Sequence, residues 1–532
     1  MIQLLLLIAL AYFLYEKVFK FYYRYWFYRS QGIPALGIPW PILGTLWNVK
    51  KVLDNMGPYS KTILEEYWHN YFGDQLPPIF SDHRMPCASI IFCDPTYVNE
   101  IYTTKTKYMD KHPKFSRTSY VQFKNSTSLQ RSTEDWNQKR KHLTQAFYKD
   151  KIKIMLKSTI AVTNARVKEW QQIQQSQNPV IILNKQVQEL IDDVIQVCVF
   201  GQSNLKKQVT YFENGKEIQL TIGKYLRILT EHVFSRYGGL RQMTDIFDYV
   251  PVTPFEFEVF KNAKNFKIFI QTLLDERRVE MSQPNWVSQG DFLTILMQDE
   301  YFKSDEVIID ECNTFMLAAN LTTSITLTNL IFYLIKDQSI MRKVREESII
   351  DLKVEKGFQN LSDEQWSELL TYEGLNNCNY LNYCILESLR IDPPARVTTP
   401  HCFTEDIEIC GKKILADSQW HINIQYLHHN PKEWIDPEEF IPERFDPASQ
   451  YYLTPQGNKR HPMSFGPFLG GKRICLGKTF AESMLKCMFP VIINQIDFEF
   501  DDLELFKRKP TNTFLQKEPS YMIKLKNYSG LI

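Results

Sequence analysis

The segment Phe468-Leu-Gly-Gly-Lys-Arg-Ile-Cys-Leu-Gly477 places a single cysteine, Cys475, in a glycine-rich turn. Glycine permits a tight turn and a close approach by another body. Arg473 is a positive neighbour that favours the thiolate over the thiol, and backbone N–H groups in such a turn stabilise negative charge. Because the residues after Gly477 follow a helical pattern, the sulfur also lies near a helix N-terminus. The segment therefore predicts a soft, anionic axial ligand for haem iron.

A buried structural thiol is the ordinary alternative for a lone cysteine. The five fixed residues of the segment argue against it, because they resemble the haem-binding signature of the cytochrome P-450 superfamily. That signature reads Phe, two residues, Gly, one residue, Arg, one residue, Cys, one residue, Gly, and the matching residues are Phe468, Gly471, Arg473, Cys475 and Gly477. The resemblance implies that these residues bind haem b and that Cys475 is the iron ligand.

The composition narrows the class of protein further. The chain has 532 residues and a net charge of +1, which gives no support to a nucleic-acid partner. Its ten cysteines are scattered without a CxxC pair, so neither a zinc site nor a disulfide framework is indicated. No low-complexity linker or repeat divides the chain. We expect residues 46–532 to form a single haem-binding catalytic domain that faces a reducing cytosol.

The first 30 residues predict a membrane anchor. The stretch from Ile2 to Tyr15 is almost wholly apolar, and four basic residues interleaved with aromatic ones follow it. Aromatic residues suit a membrane interface, and the basic residues place the following chain in the cytosol. A cleaved signal peptide, with Ala9-Leu-Ala11 as its cleavage site, and a buried core helix are the alternatives.

Residues 31–45 contain three prolines and resemble the stiff hinge of microsomal members of the superfamily; an ordinary loop is the alternative.

Two further positions resemble residues of the superfamily that bind the haem propionates. Trp136 and Arg140 lie four residues apart, on one face of a predicted helix. Arginine suits a carboxylate, and tryptophan offers an N–H donor; a surface cation–π pair is the alternative. His401 follows Pro400 at the place of the second propionate contact, although a lone histidine is often only a core or surface residue.

A long run without charge extends from Cys312 to Ile335. Nine of its 24 residues are Asn, Ser or Thr, so we expect a helix through a protein core rather than a membrane span. Within it, Ala318-Ala-Asn-Leu-Thr-Thr323 resembles the oxygen-activation segment, in which Ala318 and Ala319 are the small pair and Thr322 helps to deliver protons. The superfamily usually has an acid where this chain has Leu321; Asn320 or water is the candidate substitute. A threonine bonding back to its own helix is the alternative.

Three charged residues resemble a structural ion-pair cluster of the superfamily. Glu387 and Arg390 lie three residues apart on a predicted helix, and Arg444 belongs to the sequence Pro-Glu-Arg-Phe that completes the cluster in that family. The resemblance implies a buried cluster that holds the haem core on the thiolate side. An exposed helix pair is the alternative.

Lysines are frequent on both sides of these motifs. If the fold brings them together, they offer a basic face to an acidic electron donor; a solvated lysine-rich face is the alternative. They are Lys139, Lys141, Lys149, Lys151, Lys153, Lys157, Lys472, Lys478 and Lys486.

Together these features predict a mainly α fold with a smaller β region, the cytochrome P-450 fold, behind an N-terminal transmembrane helix. The resemblance implies a monooxygenase of the endoplasmic reticulum membrane, single-pass, with its catalytic domain in the cytosol. It would insert one oxygen atom from O₂ into a lipophilic small molecule, using NADPH through cytochrome P-450 reductase, with cytochrome b5 as a further candidate partner. A peroxide-using or peroxide-rearranging haem-thiolate enzyme and a non-enzymatic haem sensor are the alternatives. The sequence does not indicate the substrate.

Overall fold

The computed structural model describes residues 2–40, 44–45, 63–83, 88–201, 205, 207–236, 248–352, 358, 361–501 and 521–527. Part of the predicted hinge, residues 41–43, lies outside the described residues. The described chain is mainly helical with a smaller β region, so the predicted fold class is confirmed.

The helices up to residue 200 are α1 (Ile2–Leu14), α2 (Lys20–Ser30), α3 (Ile63–Phe72), α4 (Pro95–Tyr102), α5 (Pro113–Thr118), α6 (Tyr120–Phe123), α7 (Glu134–Gln145), α8 (Lys149–Gln174) and α9 (Leu183–Phe200). The later helices are α10 (Ile222–Ser235), α11 (Pro254–Met281), α12 (Phe292–Gln298), α13 (Asp305–Lys336), α14 (Gln338–Asp351), α15 (Asp363–Leu369), α16 (Asn379–Ile391), α17 (Ile424–His429) and α18 (Lys478–Ile493). Several begin at side-chain caps; Thr253, for example, forms a capping box with Glu256 at the start of α11.

The strands are β1 (Ile79–Asp82), β2 (Ser89–Phe92), β3 (Met109–Lys111), β4 (Val180–Ile182), β5 (Gln208–Glu213), β6 (Lys216–Thr221), β7 (His401–Phe403), β8 (Ile407–Ile409), β9 (Lys412–Ile414), β10 (Gln419–Ile422), β11 (Ile496–Phe500) and β12 (Met522–Asn527). A five-stranded sheet has the order β1-β2-β10-β7-β3, in which β2 and β10 are parallel. A three-stranded sheet has the order β11-β12-β4, and β5-β6 and β8-β9 form hairpins.

Helix α13 runs through the main hydrophobic core. Its first turn carries Asp305 and Glu306, which interact favourably with the helix dipole, and nearly all of its residues from Ile308 to Ile335 are buried. Among the described residues it is the one helix long and apolar enough to cross a membrane, and 72% of its most apolar window is buried inside the protein. A core position therefore explains its length, as its many polar residues predict.

The N-terminal segment divides into an exposed and a docked part. Helix α1 is exposed, and a five-residue π turn joins it to α2. Helix α2 packs on the larger sheet: Tyr25 and Tyr28 are fully buried, and the Tyr28 hydroxyl donates to Ser418 Oγ over 2.7 Å. Beyond α2, Ala35 bridges to Ser81 of β1. The predicted anchor thus includes a helix that belongs to the globular body.

Candidate functional site

One end of the cysteine turn, at Gly471, is closely packed, whereas the other end, at Gly477, adjoins open space. A 3-10 turn spans Gly471–Arg473, and the Cys475 N–H donates to the Phe468 carbonyl over 2.9 Å. Gly471 has φ +61°, and a Cβ there would lie 2.5 Å from Thr106 Oγ1, so this place requires glycine. A Cβ on Gly477 would meet nothing within 4 Å among the described residues. Open space therefore adjoins Gly477, two residues after the exposed Cys475.

The protein groups around Cys475 do not by themselves favour its thiolate over its thiol. Its side chain is exposed, yet burial of the surroundings raises the pKa of the thiol, while the Gly477 backbone and the Arg140 charge oppose that rise. Arg473, which the sequence suggested as the charge beside the sulfur, directs its guanidinium to Asp110 instead. A metal cation would complete the stabilisation of the thiolate, because a coordinating thiol is deprotonated outright.

Arg473 is the centre of a buried hydrogen-bond cluster. Its Nη2 donates to Asp110 Oδ1 over 2.7 Å and to Ser132 Oγ over 2.8 Å, and its guanidinium carbon lies 4.0 Å from the centre of the Trp136 ring. Burial lowers the pKa of Arg473 to about 10. Among the described residues its Nε is buried without a hydrogen-bond partner, and an orphaned donor of this kind fits an acceptor supplied from outside the chain.

Trp136 and Arg140 lie on one face of α7, beside the cysteine turn. Arg140 Nη2 donates to the Ile474 carbonyl over 2.5 Å, and its guanidinium lies 5.5 Å from the Trp136 ring centre. Trp136 Nε1–H, however, donates to the Thr127 carbonyl over 2.8 Å, so the loop before α7 uses the donor predicted for a propionate. Arg140 keeps further N–H donors for a carboxylate.

His401 brings a second orphaned atom to this cluster. Its Nδ1–H donates to the Thr399 carbonyl over 2.7 Å, and among the described residues Nε2 is buried without a partner. Burial, with the charge of nearby Lys111, holds the pKa of His401 well below its usual range. The neutral ring presents a lone pair at Nε2, so binding a carboxylate requires protonation, which the negative charge itself favours.

Lys111 is a site residue that sequence reasoning missed. It lies on β3, which pairs with β7 so that Lys111 is opposite His401. Its Nζ donates to Thr399 Oγ1 over 2.7 Å, and burial, followed by the charge of Arg473, lowers its pKa to about 7. No motif spacing marks this lysine, because its place depends on the pairing of strands almost 300 residues apart.

The charges of the cluster suit a doubly anionic ligand. Lys111, Arg131, Arg140 and Arg473 bring positive charge around the Asp110 carboxylate. Burial acts against ionisation of Asp110, but Arg473 and backbone N–H groups still hold its pKa below the usual range. The remaining positive charge and two orphaned nitrogen atoms fit the two propionates of haem b, and the nearby sulfur fits its iron.

The predicted oxygen-activation segment interrupts the buried surface of α13. Ala318 is exposed, and Leu317, Ala319, Leu321 and Thr322 are half-buried, whereas most residues of the helix from 308 to 335 are buried. The Thr322 hydroxyl donates to the Ala318 carbonyl over 2.7 Å, as the alternative interpretation predicts. One turn earlier, the Phe315 ring centre lies 5.5 Å from that of Phe480, at the start of α18. This contact holds the segment beside the helix that follows Cys475.

Asn320 points away to another helix. It is buried, and its Nδ2 donates to Asp192 Oδ1 on α9. The sequence suggested Asn320 as a substitute for the acid that is missing at Leu321. The structure shows that Asn320 is itself hydrogen-bonded to a carboxylic acid, Asp192. Asp192 was missed because it precedes Asn320 by 128 residues.

Glu387, Arg390 and Arg444 meet in one cluster, and all three side chains are fully buried. Arg390 donates to both Glu387 oxygens over 2.7 and 2.8 Å, and Arg444 Nε donates to Glu387 Oε1 over 3.0 Å. The Ile441 N–H is a further donor to the same carboxylate. The two guanidinium groups also donate to the carbonyl groups of residues 435–439, so the cluster fixes the loop that leads to the cysteine turn.

A mainly helical body that presents a cysteine in a glycine-rich turn, beside buried cations, defines a haem-thiolate protein. A family model described as Cytochrome P450 matches residues 34–525. The chain therefore belongs to the cytochrome P-450 family, and it is a monooxygenase that binds haem b with the iron held by a cysteine thiolate.

Curated relatives cover most of the chain. It is 27% identical to "Cytochrome P450 4F3" of Rattus norvegicus over 395 residues, which are 71% of this chain and 70% of the relative. It is 25% identical to "Cytochrome P450 4F8" of Homo sapiens over 430 residues, 77% of this chain and 76% of the relative. It is 26% identical to "Ultra-long-chain fatty acid omega-hydroxylase" of Homo sapiens over 395 residues, 71% of this chain and 68% of the relative.

Proposed function

We propose that this monooxygenase oxidises a lipophilic small molecule with electrons that NADPH–cytochrome P-450 reductase delivers. The exposed sulfur of Cys475 beside the open face of Gly477 is the observation that carries the proposal. The test is product formation with NADPH, with and without the reductase. Product that requires the reductase supports the proposal. Product from peroxide alone favours the alternative, a peroxide-using enzyme, and absence of turnover across a lipophilic panel favours a haem sensor.

In this proposal Cys475 holds the iron, and Arg140, Arg473, His401 and Lys111 hold the propionates. When bound, haem supplies the activation of O₂ that side chains cannot perform. The chain's own groups orient the cofactor by charge-assisted hydrogen bonds. The remaining signature residues, Phe468 and the glycines, shape the turn. The cluster of Glu387, Arg390 and Arg444 supports it from behind.

Thr322 is proposed to hold and move a proton at its hydroxyl oxygen. Thr322→Ala is expected to lower product formed per NADPH consumed by about a hundredfold, the lower end of what a positioned proton-transfer group contributes. Peroxide release should rise in the same assay. Thr314→Ala is the matched control, because Thr314 is a half-buried threonine of α13 that makes the same backbone bond, to Asp310. Unchanged coupling in Thr322→Ala would exclude the role.

Lys111→Met is expected to have opposite effects on the two forms of the protein. Without haem it removes a cation whose pKa burial lowers to about 7, so the free energy of unfolding at pH 6 should rise. With haem it removes one charged hydrogen bond, worth about 1.5–3 kcal/mol, so haem should dissociate about 10- to 150-fold more readily. Transfer of haem to apomyoglobin measures the second effect. A variant that retains haem as tightly as the wild type contradicts the propionate role.

Long-chain fatty acids are the first substrate class that we propose to test. The support is the relative from Homo sapiens that is named ultra-long-chain fatty acid omega-hydroxylase. At 26% identity this likeness does not select a chain length. Incubation with saturated acids of increasing length, followed by mass spectrometry of hydroxylated products, tests the class.

We also propose that the N-terminus anchors the enzyme in the endoplasmic reticulum membrane, with a single span and residues 46–532 in the cytosol. Helix α1 supports this, because Leu4, Leu7 and Ile8 are about 60% exposed, whereas soluble surfaces rarely collect such residues. Helix α2 packs against the body through Tyr28, so the flank of the anchor orients the domain on the membrane. The predicted hinge, residues 31–45, then acts as a stiff connector, because Ala35 within it bridges to Ser81 of the body.

The electron donor is proposed to dock behind the thiolate. Lys478 begins α18 directly after the cysteine turn, and Lys472 precedes the sulfur. Farther along, Lys149 and Lys153 both bind Glu373 over 2.7 Å, so the carboxylate they share offsets part of their positive charge. An acidic reductase or cytochrome b5 would therefore contact the lysines nearest the cysteine.

A further inference from the structure

Asp192 is a buried carboxylic acid on α9, where α9 packs along the central helix α13. Its Oδ1 accepts a hydrogen bond from Asn320 Nδ2. Asn320 lies two residues before Thr322, in the segment where Leu321 has no titratable group. Asp192 is therefore only one side chain away from the segment to which we assign the proton chemistry.

A third helix closes over this carboxyl group. A Cβ on Gly223 of α10 would lie 2.2 Å from the carboxyl carbon of Asp192, closer than real Cβ atoms approach. Helix α10 reaches Asp192 only because residue 223 lacks a side chain. Three helices thus enclose the acid, and its hydrogen bond with Asn320 fixes its orientation.

The charges around Asp192 come from two of the three helices. Burial raises its pKa to about 6; the positive charge of Arg227 on α10 opposes the rise, and Asp193 and Glu189 on α9 add to it. Helix α13 contributes the uncharged Asn320. Among the described residues, Arg227 Nη1 is buried without a hydrogen-bond partner. The carboxyl group therefore changes charge close to neutral pH, in a place shielded from solvent.

We propose that Asp192 is a positioning residue for the proton chemistry of Thr322, an inference that rests on the proposed function. The ionised carboxylate accepts the Asn320 N–H and holds this turn of α13 against α9, which keeps the Thr322 hydroxyl in place. A hydrogen bond to an ionised acceptor is roughly twice as strong as one between neutral groups. Protonation of Asp192 therefore loosens the turn, and the enzyme loses coupling between NADPH and product.

The test is the ratio of product to NADPH consumed, measured from pH 5 to pH 8 with the reductase and a lipophilic substrate. The ratio cancels effects of pH on the electron supply. In the wild type it should fall severalfold as pH drops through about 6, because Asp192 becomes neutral. Asp192→Asn keeps the shape and a carbonyl acceptor but does not titrate, so its profile should be flat across this range. Asp192→Ala should give low coupling at every pH.

Asp193→Asn is the matched control. Asp193 is the next acid on α9, but it binds Arg166 over 2.7 Å, on α8. This variant should keep the pH-dependent fall, with its midpoint moved to a somewhat lower pH because the Asp193 charge contributes to the raised pKa of Asp192. An Asp192→Asn enzyme that keeps the wild-type fall, or an Asp193→Asn enzyme that loses it, overturns the proposal.

Thermal unfolding supplies a readout that does not need turnover. The folded pKa of Asp192, about 6, lies above the value of about 3.9 for an unfolded aspartate. Its contribution to stability is therefore complete below about pH 4 and is lost as pH rises through 6. The unfolding temperature of the wild type relative to Asp192→Asn should decline over that range. If the wild type forms no product, the proposed function fails, whereas identical unfolding profiles of the two proteins overturn the assignment of Asp192.

Discussion

Replacing Cys475 by alanine is expected to abolish thiolate ligation of the haem iron and with it the monooxygenase activity. The turn offers no second sulfur, and the Cys475 side chain is exposed. The visible spectrum of the reduced protein, with and without carbon monoxide, measures the ligation. The wild type should give the thiolate-type Soret shift, and Cys475→Ala should lose it completely.

Cys487→Ala is the matched control for this experiment. Cys487 lies on the same helix that follows the turn, α18, but it is fully buried, and burial raises the pKa of its thiol. Its loss should cost packing only and leave the spectrum unchanged. A histidine-type spectrum in the wild type, or a thiolate-type shift that survives in Cys475→Ala, would mean that another residue holds the iron.

The features that were predicted best are those that depend on residues close together in the sequence. The turn around Cys475 follows from glycines whose freedom the backbone requires, and Gly471 does adopt a positive φ. Glu387 and Arg390 meet because three residues on a helix bring side chains to one face. The core position of α13 followed from its polar content. In each case a local rule decides the geometry, so one sequence is enough.

Contacts made across the fold were not predictable in the same way. Asp110 draws Arg473 away from the sulfur because β3 pairs with β7, and no local pattern encodes that pairing. The loop before α7 turns the Thr127 carbonyl toward Trp136 and uses its N–H. Asp192 reaches Asn320 from a different helix. The sequence indicated that the usual acid is missing at Leu321, but only the packing of three helices identified Asp192 as the acid nearby.

Glu387→Gln is expected to destabilise the protein by about 3–5 kcal/mol, the cost of leaving buried charges uncompensated. The glutamine keeps the shape but not the charge, so the guanidinium groups of Arg390 and Arg444 would remain buried without their common carboxylate. The same carboxylate accepts the Ile441 N–H, so the segment toward Arg444 should loosen as well. Chemical denaturation measures the free energy of unfolding, and the ratio of haem to protein measures the effect on the cofactor site.

The complete burial of the cluster distinguishes Glu387→Gln from the loss of an exposed ion pair. Asp275→Asn removes a similar pair with the same spacing on α11, where Arg278 donates to Asp275 over 3.1 Å. Both of those side chains are about half exposed, so water solvates each partner after the change, and a loss of at most about 1 kcal/mol is expected. Equal losses in the two variants would contradict the structural role of Glu387. A large loss in Glu387→Gln alone, together with reduced haem content, would mean that the cluster stabilises both the fold and the cofactor site, to which the chain runs on from the carbonyl groups that the cluster binds.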